Sequence, residues 1–248
     1  MKKWKLLFVL SSVCCLLTIS ALVYVSAKTS FFQRVFAKLG WVQRDPSDKP
    51  DYWCIRGWNN TLHKLDLDVD VVFYGNSITC GSSFQDYFPE VSICNLGYPG
   101  DNLDGLTSRS YMIATVKPEK VFVMGGINGL KEMPIKSFTQ KYEKLILEIR
   151  KNVPSAQLFF QSILPIRNEK YSGNDKIQCC NDIIDSLARV YKCQYIDLFS
   201  LYEKNGEMNP EYTKDGVHLK PEHYDKWAEA IRPFIESKEF VQASIPSE

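Results

Sequence analysis

Five short runs of apolar and β-branched residues constrain the fold more than any other feature of the chain. They are "DVVFYG" (70–75), "VSICNLG" (91–97), "KVFVMGG" (120–126), "AQLFFQSIL" (156–164) and "CQYIDLF" (193–199). Near-continuous apolar runs of this length suit strands covered on both faces, the usual condition of a parallel sheet. Helical patterns separate most of them. Phe138, Tyr142, Leu145, Ile146 and Ile149 share one helix face, and Ile177, Cys180, Ile184, Leu187 and Tyr191 share another. Pro221 opens a last helix with Tyr224, Trp227, Ala228 and Ile231 on one side. The alternation predicts a three-layer α/β/α sandwich around a central parallel sheet of about five strands. Right-handed crossovers then bring every strand C-terminus to one edge, where ligands bind in such sheets.

Four polar, glycine-containing loops fall on that edge. Gly75-Asn76-Ser77 leaves the first strand, Gly97-Tyr98-Pro99-Gly100 the second and Gly125-Gly126-Ile127-Asn128 the third. Asp215-Gly216-Val217-His218 follows the fifth, just before the last helix. A serine hydroxyl is a weak nucleophile until a base takes its proton, which makes His218 the candidate base for Ser77. Asp215, three residues earlier, is suited to hold the other ring nitrogen. Attack on an ester carbonyl creates an oxyanion that needs donors already in place. The backbone N–H groups of Ser77 and Gly97 and the side-chain amide of Asn128 are the candidates.

In order and spacing, "GNSIT", "NLGYPGD", "GGINGL" and "DGVHL" resemble the four sequence blocks of the SGNH (GDSL-type) esterase and lipase family, over roughly residues 68–235. The resemblance implies a flavodoxin-like hydrolase domain that needs no metal or other cofactor. Ser77 would be nucleophile and oxyanion donor, Gly97 and Asn128 the other donors, His218 the base and Asp215 its partner. Two positions depart from the family pattern. Asn76 stands where the name-giving Asp precedes the serine, and Gly129 follows Asn128 where an Asp is common. Thr79, two residues after Ser77, excludes the nucleophile elbow of α/β-hydrolases, which needs glycine there.

The N-terminus has a different character. Lys2, Lys3 and Lys5 precede an uncharged apolar segment, residues 6–25. At ~1.5 Å per residue a helix of that length reaches roughly 30 Å, about the thickness of a bilayer core. The basic flank predicts a cytoplasmic N-terminus and an extracytoplasmic remainder. Val25-Ser26-Ala27 also resembles a cleavage site, so a signal peptide, giving a secreted protein, is the alternative. The organisation read from the sequence is a signal anchor or signal peptide (1–27), a juxtamembrane segment and linker (28–51) and a hydrolase domain (52–248).

With 30 basic and 29 acidic residues, the chain gives no electrostatic case for nucleic acid as a partner. Only three histidines are present and no C-x-x-C occurs, which argues against a Cys/His metal site. Of Cys54, Cys80, Cys94, Cys179, Cys180 and Cys193, several fall on strand or helix faces and are expected to be small buried residues. His223, in the first turn of the last helix, is the weaker candidate for the base, and His63, before the first strand, is expected at the surface or in packing. Tyr98 is placed to line an acyl pocket or simply to pack.

The expected function is that of an exported serine esterase removing short acyl groups, with acetyl on carbohydrate favoured. The substrate would be an acylated small molecule or glycan, and the N-terminal helix would make the contact with the membrane. Within the class the rivals are a lysophospholipase or thioesterase, and acyl transfer by the same triad. Outside it the rival is a non-catalytic domain that keeps the fold and binds glycan or protein.

Overall fold

In a computed structural model of the chain, the residues described are 66–168 and 171–237, together with Trp4, Thr18, Ser20 and Leu62. The chain divides into two compact units, Met1–Pro50 and Asp51–Glu248. Apart from the helical Thr18 and Ser20, the apolar segment 6–25 lies outside the described residues, as do the juxtamembrane and linker segments, Cys54 and His63. No helix among the described residues is long and apolar enough to cross a membrane.

The five apolar runs form β1 (Val71–Gly75), β2 (Ile93–Gly97), β3 (Lys120–Met124), β4 (Gln157–Gln161) and β5 (Gln194–Ile196). They pair in parallel in the order β2-β1-β3-β4-β5. β1 and β3 are buried throughout, as continuous apolar sequence requires. β2 differs from the expectation of burial on both faces. It is an edge strand, and all its residues except Leu96 are only half-buried.

The helices from residue 66 on, among the described residues, are α1 (Ser77–Cys80), α2 (Phe84–Tyr87), α3 (Leu103–Arg109), α4 (Tyr111–Ala114), α5 (Ile135–Asn152), α6 (Asn174–Val190), α7 (Phe199–Tyr202) and α8 (Tyr224–Glu236). Pairing in register sets Phe73, Phe122 and Phe159 side by side on one sheet face, with ring centroids 5.3 and 4.5 Å apart. Phe84 of α2 stacks on Phe73, and Trp227 and Phe234 of α8 pack edge-on to Phe84 and Phe159. On the opposite face Tyr142 of α5 meets Phe160.

The five apolar positions expected on α5 and the four on the last helix are all buried. In α6, Ile177, Cys180 and Ile184 are buried, but Leu187 and Tyr191 lie at the margin, and Asn181 and Ala188 complete the buried stripe. The Asn181 amide belongs there because it accepts from the backbone N–H of Ile163 and donates to its carbonyl, at 2.8 and 3.0 Å. Pro221–His223 is a 3-10 turn rather than the start of the helix. The cysteines also differ from expectation. Of the five described, only Cys180 is buried, Cys94 and Cys193 are half-buried, and Cys80 and Cys179 are exposed.

Candidate active site

Ser77 is the first residue of α1, where a backbone N–H has no intrahelical acceptor. Asn76 caps this helix, its Oδ1 accepting from the Ile78 N–H at 2.9 Å. Asparagine and aspartate cap about equally well, so Asn76 meets the geometric need of that position. The strand therefore ends in polar residues because a helix must start there, with the Ser77 side chain left half-buried at its tip.

His218 reaches Ser77 from 141 residues away, with its Nε2 2.9 Å from Ser77 Oγ. Its Nδ1 lies 2.5 Å from Asp215 Oδ2. The second carboxylate oxygen of Asp215 accepts the backbone N–H groups of Val217 and His218, at 2.9 and 2.8 Å. Burial pushes the Asp215 carboxyl up, but the hydrogen bonds from the His218 side chain and from these two N–H groups outweigh it and bring it down to about 2. The loop itself is tied to the turn after β4. The Arg167 N–H donates to the Gly216 carbonyl at 2.8 Å, and Asn168 Nδ2 donates to that of Asp215 at 3.1 Å.

Asn128 follows β3, and its Nδ2 donates to the Asp101 carbonyl at 2.7 Å. That bond fixes the amide against the loop after β2 and uses one of its two N–H groups. Gly97 requires a correction. Its N–H is donated to Asn95 Oδ1 at 2.9 Å, so it is already taken. Gly97 is needed for close packing instead. A Cβ there would lie 2.3 Å from the backbone N of Cys80 and 2.8 Å from the carbonyl carbon of Thr79, both in α1. Further along the same loop, Gly100 is exposed, has φ +76°, and directly precedes the Asp101 that holds Asn128.

His223 takes no part in this group. Its ring packs on Tyr212 at 4.7 Å and its carbonyl accepts the Tyr202 hydroxyl. Tyr98 lines a cavity of about 500 Å³ beside the edge strand, together with Phe84, Ile93, Leu96 and Met112. Cys80, one helical turn after Ser77, stands at the same cavity. Sequence reasoning missed Asn95 and Arg109. Only the position of Asn95, two residues before a strand-end glycine, carried a local signal, an Asx-type turn.

A serine, histidine and aspartate in line at the C-terminal edge of a parallel α/β sheet define a serine-hydrolase constellation. The family model for GDSL-like lipases and acylhydrolases matches residues 73–226. The chain belongs to this family, one of serine hydrolases acting on ester bonds. A multidomain esterase of Ruminococcus flavefaciens is 23% identical over 146 residues, which are 55% of this chain and 18% of that protein. The chain thus spans only a small part of the length of that curated relative. Among solved structures, a GDSL-like lipase of Bacteroides thetaiotaomicron is similar with a TM-score of 0.64 and 22% identity, over 73% of this chain and 96% of its own. An acetyl xylan esterase is similar with a TM-score of 0.56 and 20% identity, over 67% of this chain and 99% of its own. At these identities the likeness is one of fold.

Proposed function

We propose that the chain is an esterase that removes short acyl groups, acetyl foremost, from carbohydrate by way of a Ser77-bound acyl-enzyme. The observation that carries this reading is the unbroken line Ser77 Oγ–His218 Nε2–His218 Nδ1–Asp215 Oδ2, at 2.9 and 2.5 Å. Ser77 Oγ attacks the carbonyl carbon while its proton passes to His218 Nε2. Asp215 stabilises the imidazolium that forms. The Ser77 N–H and the second N–H of Asn128 hold the oxyanion, and the loop of Gly97 and Gly100 borders them as the place of the third donor. The alcohol leaves with the proton from His218. Water then gives a proton to His218 and attacks the acyl carbon, and Ser77 is released with the proton returned. An alcohol in place of that water would make the same site an acyltransferase. The acetyl xylan esterase neighbour supports the carbohydrate assignment. The basic flank and apolar run at residues 2–25 support export and a membrane anchor, or secretion if that segment is cleaved.

The cavity at Tyr98 favours a second reading, a longer apolar acyl chain as in a lysophospholipase or thioesterase, since its volume is that of a site for a medium-sized ligand. The test is hydrolysis of p-nitrophenyl esters with acyl chains of two to twelve carbons by the full chain and its Ser77→Ala variant, followed by acetate release from acetylated xylan. Serine-dependent rates that fall with chain length, with acetate released from the glycan, support deacetylation. A maximum at eight or more carbons assigns the cavity to the acyl chain. Rates unchanged in Ser77→Ala would remove Ser77 from the mechanism. A folded protein inert on every ester would make the site a binding surface.

A further inference from the structure

The buried Arg109 side chain, 3% exposed at the end of α3, is used by nothing in the mechanism above. Its Nε donates to Asp101 Oδ2 at 2.5 Å, its Nη1 to the Leu96 carbonyl at 2.8 Å and its Nη2 to the Gly75 carbonyl at 2.8 Å. The guanidinium lies 4.3 Å above the ring of Tyr74. Each acceptor adjoins a different part of the candidate site. Gly75 is two residues before Ser77, and Leu96 directly precedes Gly97. Asp101 follows Gly100, and its own carbonyl receives the Asn128 amide at 2.7 Å.

We propose that Arg109 is the positioning residue of the oxyanion hole, holding the loops that carry Ser77, Gly100 and Asn128 at fixed separations through one buried guanidinium. The inference rests on the esterase reading of the same site. A planar fork with donors on three nitrogens can reach a strand end, a neighbouring strand and a carboxylate at once. A lysine ammonium keeps the charge but offers a single point, so it cannot hold the three acceptors together. The interior location matters as well. The carboxylate of Asp101 is fully buried, and its pairing with Arg109 offsets the cost of that burial. Replacing either partner loosens the loop on which Asn128 rests without touching a group that meets substrate.

The test compares the full chain with Arg109→Lys and Asp101→Asn on p-nitrophenyl acetate, with Ser77→Ala alongside. Active sites are counted by end-point titration with a fluorophosphonate, so that kcat is expressed per competent site. Arg109→Lys is expected to lower kcat per site about 10- to 100-fold, the order of effect for sub-ångström to ångström misplacement, with KM within about twofold. Asp101→Asn is expected to lower it in the same direction, with the Asn128 carbonyl contact loosened rather than lost. A purely structural role would reduce the titratable fraction and the melting temperature but leave kcat per site unchanged, and that result overturns the proposal. If Arg109→Lys yields no folded protein, Asp101→Asn decides alone, and wild-type kcat per site there overturns it equally. Activity surviving in Ser77→Ala would instead refute the Ser77 acyl-enzyme mechanism beneath it, so the two failures are told apart.

Discussion

Gly97→Ala separates packing from chemistry at the end of β2. Alanine keeps the backbone N–H, so any loss reports the added methyl and not a missing donor. That methyl would sit 2.3 Å from the Cys80 backbone N, 2.7 Å from its Cα and 2.8 Å from the Thr79 carbonyl carbon. All three are backbone atoms of α1, so no side chain can swing aside. Ordinary contact begins near 3.4 Å, so α1 and β2 must part by about 1.1 Å at this point. Overpacking on this scale costs about 1–3 kcal/mol, which for a domain of this size lowers the melting temperature by roughly 2–12 °C. Ser77 heads the displaced helix and its Oγ is held 2.9 Å from His218 Nε2, so the shift opens that hydrogen bond. A misplacement of about 1 Å in reacting groups can lower the rate on the order of 10²-fold. Calorimetry and steady-state hydrolysis of p-nitrophenyl acetate measure both effects. A variant that melts with the wild type and keeps its kcat would refute the close packing of β2 on α1. A variant that melts normally but loses kcat would show that the added methyl moves Ser77 out of line without a cost to the fold.

Asn128→Ala removes one oxyanion donor and is expected to lower kcat about 10²- to 10³-fold with little change in melting temperature, since Asn128 is only half-buried; an unchanged kcat would exclude its amide from the hole. Asp215 offers a pH test. Its carboxyl is depressed from 3.8 to about 2 in the folded state, so the stabilisation it contributes is complete above pH 3.8 and disappears as pH falls through about 2. The side chain is about half exposed, so solvent screening keeps that contribution below about 1 kcal/mol. Melting curves of wild type and Asp215→Asn between pH 5 and pH 2 should therefore converge as pH falls. A gap that stays constant or widens would mean that the carboxylate is not held by its hydrogen bonds.

The sheet was legible because burial on two faces leaves a mark along a strand, and β1 and β3 are buried without a break. The Asp215–His218 half of the triad was legible for a different reason. The two lie three residues apart in one turn, so the sequence spacing is already the contact. The oxyanion loop is neither repetitive nor local. Whether the Gly97 N–H is open to a substrate depends on Asn95, whose Oδ1 takes that N–H while its Nδ2 spans the carbonyls of Thr79 and Ser82. No rule of spacing reveals that a side chain two residues upstream has claimed the donor. Arg109 was hidden more thoroughly, because "LDGLTSR" has too few apolar positions to mark a buried helix end, and its acceptors come from β1, β2 and the following loop. Asn76 shows the same division of labour within one residue. Its Oδ1 does the local work of capping α1, which sequence can anticipate, whereas its buried Nδ2 has no partner among the described residues. A buried amide N–H without an acceptor costs about 1–3 kcal/mol. An asparagine here thus supplies the cap with no negative charge on the residue directly before the nucleophile, at the expense of one unmet donor.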